Sequence, residues 1–306
     1  MDPINRREFA GATLAALGAA AMSCASAPAG QTQPGLPTVR WGRHGISRLL
    51  VGHNPIKGVS HFTPELSREM RTWFAGDPAR ARELLRRCEQ LGINTCQIGG
   101  EDMEALLRAH WAEGGRLQWI ATFYSQPGEG KQELARILNM TPGPIGIQQH
   151  GNMTDRLMRE GKIDQVQDNL KRFRDAGVLV GLGSHNHEAI DYAESKGWDV
   201  DFYQGAFYRS SGGLDQSKGR EVFEEEARQS MAKTLGQVSK PCIAYKILGA
   251  NRHCQTPADV EAAIRFALKS IKPSDVILVG MWQKYKDQVA DNVGFVQKIL
   301  GTASIA

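Results

Sequence analysis

Asp77-Pro78-Ala79-Arg80-Ala81-Arg82-Glu83-Leu84-Leu85-Arg86-Arg87-Cys88-Glu89-Gln90-Leu91-Gly92-Ile93-Asn94-Thr95-Cys96-Gln97-Ile98 contains one whole helix-to-strand unit. Asp77 with Pro78 suits a helix start, because proline lacks only an N–H that has no partner in the first turn. The amphipathic run Ala79 to Leu91 is closed by Gly92, which takes the left-handed cap conformation most readily. The short apolar run Ile93 to Ile98 then reads as a buried strand. The same alternation recurs along the chain. Strands are expected at Ser47 to Gly52, Leu117 to Thr122, Ile145 to Gln149, Val178 to Gly183, Val200 to Gln204, Cys242 to Lys246 and Val276 to Gly280. Gly177 and Gly197 close helices just before strands, and Thr256-Pro257 opens one over Ala258 to Ser270.

Eight such units in one chain predict an α/β fold, a (β/α)8 TIM barrel. The open doubly wound sheet is the alternative, yet no G-x-G-x-x-G follows the first strand, and Gly181-Leu182-Gly183-Ser184 is a lone glycine pair late in the chain. In a closed barrel of this type, chemistry sits at the C-terminal ends of the strands.

Outside the barrel, Asn5-Arg6-Arg7-Glu8-Phe9 precedes an uncharged run from Ala10 to Met22, the pattern of a twin-arginine export signal. That run is too short to span the ~30 Å of a bilayer core as a helix. Two cleavage readings stand. Ala21-Met22-Ser23-Cys24 resembles a lipobox, which would leave Cys24 as a lipid anchor at a membrane surface, and Ala25-Ser26-Ala27 is the small-residue alternative. The expected layout is a signal over 1–24, a flexible tether over 25–38, the barrel over 39–301 and a tail over 302–306. The expected location is the periplasm, free or membrane-anchored.

The net charge of +4 is spread among mixed signs, which argues against nucleic acid as a partner. Cys88, Cys96, Cys242 and Cys254 lack the paired short spacing of a structural zinc site. A Cys242–Cys254 disulfide has no support beyond the presence of the two thiols.

The strand ends carry a resemblance. Val39 to Leu49, Gly183-Ser184-His185-Asn186, Asp201-Phe202-Tyr203-Gln204, Ala263 to Leu268, Val276 to Met281 and Gln288 to Asn292 follow one another in an order similar to the aldo/keto reductases. The likeness covers about Val39 to Asn292. It implies a carbonyl-reducing barrel using NADP(H), with Ser184, His185 and Gln204 near the nicotinamide and Tyr245 stacked on it. It also implies that the last unit holds the adenosine phosphate end, through Gly280, Lys284, Gln288 and Asn292. Lys286 offers a second cation there, while Met281-Trp282 replaces the family's usual polar pair and is expected to weaken affinity.

The family's catalytic tetrad is Asp, Tyr, Lys and His, and this chain departs from it. Gln97 stands in the Asp place, Phe123 or Tyr124 in the Lys place, and no Tyr follows Gln97 between Ile98 and Met103. Only His150 is retained. Without a nearby cation, Tyr124 would keep a pKa near the usual ~10 and be a slow acid at neutral pH. His150 is the candidate to polarise a carbonyl or move a proton, against the plainer role of a hydrogen-bonded core histidine. Lys246 is a candidate Schiff-base or anion-binding amine, against a rim lysine in salt contact.

A divalent metal is the less favoured cofactor, held by His53, His150, His185 and Glu101 if the strands bring them together. His61 and His110 are expected in solvent and His187 on the surface. Two insertions stand out. Asn54 to Asp77, with His61, Phe62, Trp73 and Phe74, reads as a lid, and Ala206 to Lys218 carries Arg209 and Ser210-Ser211-Gly212-Gly213, where Arg209 would meet an anionic group. The leading expectation is an exported oxidoreductase acting with NADP(H) on a small carbonyl or sugar-derived substrate. The alternatives are a non-catalytic ligand-binding barrel and a metal-dependent isomerase, lyase or hydrolase.

Overall fold

The computed structural model describes residues 35–208 and 223–301, and the backbone of 214–215 and 220–221. The expected signal, the Cys24 lipidation site, most of the tether, Arg209, the glycine-serine stretch beside it and the tail lie outside the described residues.

The chain enters through a hairpin, β1 (Thr38–Trp41) and β2 (His44–Ser47), and continues into β3 (Leu49–Gly52). Helices α1 (Pro64–Ala75) and α2 (Ala79–Gln90) lead to β4 (Thr95–Ile98). Helix α3 (Glu101–Ala112) leads to β5 (Gln118–Phe123), and α4 (Lys131–Leu138) to β6 (Gly146–Gln149). After α5 (Gly151–Arg159) and α6 (Val166–Asp175) come β7 (Leu179–Ser184), α7 (His187–Ser195) and β8 (Phe202–Ala206). A small antiparallel pair, β9 (Leu214–Asp215) and β10 (Arg220–Glu221), precedes α8 (Glu225–Gln237) and β11 (Cys242–Tyr245). The chain ends with α9 (Pro257–Ser270), β12 (Val276–Gly280) and α10 (Gln288–Leu300).

Eight strands, β3 to β8 with β11 and β12, pair in parallel and close into a barrel, β12 bonding back to β3. The eight expected apolar runs are these strands. Several begin later than the runs do, because the leading residues serve the turns. Asn94 bonds across to the hairpin, its Oδ1 accepting from Ser47 N at 2.9 Å and its Nδ2 donating to Gly45 O at 3.0 Å. Ser47 therefore ends the hairpin rather than starting the first barrel strand. Lys246 was expected to finish β11, but its φ of 56° takes it out of extended geometry.

Helix ends follow local chemistry. Thr256 and Asp259 form a reciprocal capping box at the start of α9. Asp77 Oδ1 accepts from Ala79 N at 2.9 Å at the start of α2. Gly92, Gly177 and Gly197 all take positive φ, as their places at helix ends required.

The main core lies between the strands and the surrounding helices. A second cluster fills the lower barrel, where Trp41 and Ile46 of the hairpin pack with Leu50, Ile120, Phe202 and Ile243. Trp41 lies 5.3 Å from the Phe202 ring and donates to Ser274 O at 2.8 Å. This floor fills the N-terminal end, so among the described residues the cavity opens at the opposite mouth. The four described cysteines are free thiols, so Cys242 and Cys254 are not joined. No helix among the described residues is long and apolar enough to cross a membrane.

Candidate active site at the barrel mouth

Directly above the apolar floor, four strands each contribute a buried polar side chain: Gln97, Thr122, Gln148 and Gln204. Gln97 Nε2 lies 2.5 Å from Gln204 Oε1, 3.0 Å from Gln148 Oε1 and 3.4 Å from Thr122 Oγ1. Two hydrogens cannot serve three acceptors, so the bonds to the two glutamines carry the belt. Gln148 donates onward to Gln149 O at 2.6 Å. It fits only because β7 has Gly183 beside it, where a Cβ would stand 1.7 Å from the Gln148 nitrogen. Gln97 Oε1 is buried without a partner. Where the resemblance places a carboxylate, this barrel has a neutral amide network.

The mouth above the belt is lined by four histidines, His53, His61, His150 and His185. His53 donates from Nδ1 to Gln97 O at 3.1 Å, leaving Nε2 to accept from the Tyr124 hydroxyl at 3.5 Å. Burial holds His53 down at about 4 and pushes Tyr124 up to about 12. Tyr124 is thus an acid too weak to serve at neutral pH. Of the two residues competing for the lysine position, Tyr124 enters the cavity, whereas Phe123 packs edge-on against Phe173 at 5.2 Å.

His150 sits at the turn from β6 into α5 and caps that helix, its Nδ1 accepting from Asn152 N at 3.2 Å. A backbone N–H can only donate, so the neutral ring must carry its hydrogen on Nε2. Burial, with help from His185 and Lys246, holds its pKa down at about 3. The Tyr124 ring lies 4.9 Å from it.

His185, after β7, is also neutral-leaning, because burial lowers its pKa more than Asp155 raises it. Its Nδ1 lies 2.8 Å from Asp155 Oδ2. Asp155 comes from α5 and also accepts from Ser184 Oγ at 2.6 Å and from His185 N at 3.1 Å. Ser184, expected to touch a cofactor, is fully buried and turned onto Asp155, and it does not line the cavity. Tyr245 forms a wall 5.5 Å from the His185 ring, edge to face, and burial drives its hydroxyl well above the usual range. Lys246 lines the cavity in a left-handed conformation, and Ala250 and Asn251 in the same loop also have positive φ, at 49° and 76°. Such strain in L residues persists only where surrounding contacts hold it.

Gly280, Gln288 and Asn292 line the far side, with Trp282, Lys286 and Asp291 beside them. Gln288 Oε1 is taken by Trp282 N at 2.8 Å, and Lys286 pairs with Asp291 at 2.9 Å. Lys284 is a correction to the expectation. It pairs with Glu69 of α1 and lies outside the cavity lining. The buried indole N–H of Trp282 has no partner. The whole cavity measures about 920 Å³, near the top of the ~300–1,000 Å³ usual for small-molecule and cofactor sites. Tyr245, Trp282 and the Lys286 ammonium border this one cavity, whose size and lining admit a nicotinamide dinucleotide.

Asp155 had no signal in sequence beyond being an acidic residue on the buried face of a helix, next to Thr154 and Leu157. The expected lid supplies cavity residues, including His61, Leu66 and Met70, while Trp73 and Phe74 pack together at 4.6 Å. His61 therefore faces the cavity rather than open solvent. His110, also expected in solvent, is fully buried, with Nε2 3.0 Å from Glu89. The proposed metal quartet does not assemble. Glu101 points to Arg136 at 3.0 Å, and among the described residues no group of three metal-binding side chains stands close enough to hold an ion.

No protein-family profile and no curated protein matches the sequence. Solved structures do match in fold. One is PA4992 of Pseudomonas aeruginosa, assigned as an aldo-keto reductase, at 18% identity and a TM-score of 0.56, covering 86% of this chain and 95% of that one. Another is the thermostable aldo-keto reductase Tm1743, crystallised with the inhibitor epalrestat, at 14% identity and a TM-score of 0.53, covering 86% and 94%. At these identities the likeness is one of fold: this chain has the (β/α)8 barrel of the aldo-keto reductases.

Proposed function

We propose that this chain is a divergent oxidoreductase of the aldo-keto reductase type that takes a small carbonyl or sugar-derived molecule at the barrel mouth beside NADP(H). The observation that carries the reading is the orientation of His150. With Nδ1 fixed as an acceptor, its Nε2–H is the group left for the cavity that Gln204, Tyr245, Gly280, Gln288 and Asn292 also line. A neutral imidazole N–H in a dry site can hold a carbonyl oxygen and stabilise charge that develops on it. When bound, the dinucleotide would supply hydride. Tyr245 would stack on its nicotinamide, the Gln204 amide would meet the carboxamide, and Lys286 would meet phosphate.

Consumption of NADPH and NADH is followed by absorbance over a panel of small aldehydes, ketones and ketoses, with wild type and His150→Gln. Turnover that falls by at least ~100-fold in the variant supports the reading, and turnover unchanged in the variant contradicts it. The rival reading, a ligand-binding barrel without turnover, is favoured by one observation. Gln97 and Phe123 remove the charge pair that would activate a tyrosine, and Phe123 faces away from the cavity.

We also propose that the protein acts outside the cytoplasm, on the strength of Arg6-Arg7 and the apolar run after them. Arg6→Lys with Arg7→Lys should retain it in the cytoplasm. Cys24→Ser should abolish labelling by a palmitate analogue if Cys24 is the anchor.

A further inference from the structure

We infer that Asp155 and His185 form a proton-exchange dyad that removes a proton from the carbon next to a carbonyl held in the barrel mouth. The substrate class is an α-hydroxy aldehyde or ketone, and the inference rests on the reading of the mouth as a small-molecule site.

The geometry builds the dyad from three sides. Asp155 Oδ2 accepts from His185 Nδ1 at 2.8 Å, while Asp155 Oδ1 is held by Ser184 Oγ at 2.6 Å and His185 N at 3.1 Å. The carboxylate therefore cannot rotate without losing bonds. With Nδ1 donating, the neutral ring keeps its lone pair on Nε2. The ring itself is fitted closely. A Cβ on Gly151 would stand 2.9 Å from Nδ1, so glycine at that position admits the imidazole, and Tyr245 stands edge-on across it. His185 lines the cavity, and its ring centroid is 6.3 Å from that of His150. That separation suits two histidines acting on adjacent atoms of one small substrate, one as base and one as hydrogen-bond donor.

The step balances without an oxidant. His185 Nε2 takes the proton from the α-carbon, the C–H electron pair becomes the carbon–carbon double bond, and the carbonyl π pair moves to oxygen, which accepts from His150 Nε2–H. Return of the proton to the same carbon exchanges or epimerises it. Return to the former carbonyl carbon, with the neighbouring hydroxyl's proton passing to the former carbonyl oxygen, interconverts aldose and ketose.

His185 works as a base only when unprotonated, and burial keeps its pKa below the ordinary 6.5. The charged and titratable groups bearing on it are Asp155 from α5, Lys246 after β11 and His61 from the lid segment, with His150 and Tyr245 across the cavity. Removing the Asp155 charge removes the influence that raises the His185 pKa, so the acid side of the rate profile moves to lower pH in D155N.

The test uses the full chain with glyceraldehyde and dihydroxyacetone as probes, following deuterium uptake next to the carbonyl by proton NMR in deuterated buffer. Wild type should accelerate uptake at least ~100-fold over buffer, H185Q should fall to the buffer rate, and D155N should lose most of the acceleration and show the acid shift. Uptake no faster than buffer with both probes, or undiminished in H185Q, overturns the dyad. Because His185 is only 4% exposed, ring ¹⁵N shifts of folded wild type give an independent check. A hydrogen on Nδ1 and a bare Nε2 support the dyad, and a hydrogen on Nε2 overturns it. Dinucleotide binding without exchange removes the dyad and leaves the proposed function standing; exchange without dinucleotide binding does the reverse.

Discussion

Replacing Gln97 by Glu restores an acid close to the position where the aldo-keto reductases have one, and the belt around it makes the change costly. The side chain is 3% exposed, and its Nε2 donates to Gln204 at 2.5 Å and to Gln148 at 3.0 Å. A carboxylate of the same shape donates nothing. Two net hydrogen bonds of roughly 1 kcal/mol each are lost, and two buried carbonyl oxygens then face a negative charge. Gln148 cannot simply flip, because its amide nitrogen already donates to Gln149 O and rests against Gly183. We expect a loss of about 3 kcal/mol at pH 8, of the order seen when a buried donor is removed from its acceptors.

The pH dependence has a defined sign. Burial without a cation raises the pKa of this acid in the folded state above its unfolded value of ~4.3, so the variant's deficit grows as pH rises from there. Protonation at low pH restores one O–H donor, and the deficit should shrink to about 1–2 kcal/mol near pH 4. The assay is urea unfolding of wild type and Q97E followed by Trp fluorescence at both pH values, compared as a difference so that shared titrations cancel. A deficit below about 1 kcal/mol at pH 8, or one that does not grow with pH, would refute the reasoning.

Gly181→Ala should destabilise by about 1–3 kcal/mol in the same assay, since its Cβ would stand 2.2 Å from the Phe202 ring in a filled barrel floor. Lys286→Met should weaken NADPH binding about tenfold by fluorescence titration while Lys284→Met changes it little, because only Lys286 lines the cavity. His53→Gln should flatten the dependence of unfolding free energy on pH between 6.5 and 4. His53 is held neutral down to about 4 when folded, so unfolding takes up a proton in that window and wild-type stability falls as pH drops, by up to about 1.4 kcal/mol per pH unit.

The barrel was legible because each strand is a short apolar run and each helix has its own stop and start residues, as at Gly92 and Thr256. Those are local signals, and the structure keeps them. The mouth was legible as a set of positions and not as an arrangement. His150, His185, Gln204 and Tyr245 do line one cavity. Ser184 does not, because a residue at the end of a strand can point to either side, and Asp155, 29 positions earlier in the chain, captures its hydroxyl. Lys284 was misplaced for a similar reason. Its partner Glu69 lies in α1, 215 positions earlier in the chain, so nothing near Lys284 in sequence revealed that its charge was engaged. His110 was expected in solvent because its imidazole is polar, yet it shares the inward-facing side of α3 with Met103 and Leu107.

The most direct test is titration of the purified full chain with NADPH, and separately NADH, reading the fluorescence of Trp282 in the cavity wall against a Trp282→Phe control. The account predicts saturable quenching at micromolar dinucleotide that is absent in the control and weakened by Tyr245→Ala. No binding of either dinucleotide up to millimolar concentration would contradict it and leave a ligand-binding barrel without nicotinamide chemistry.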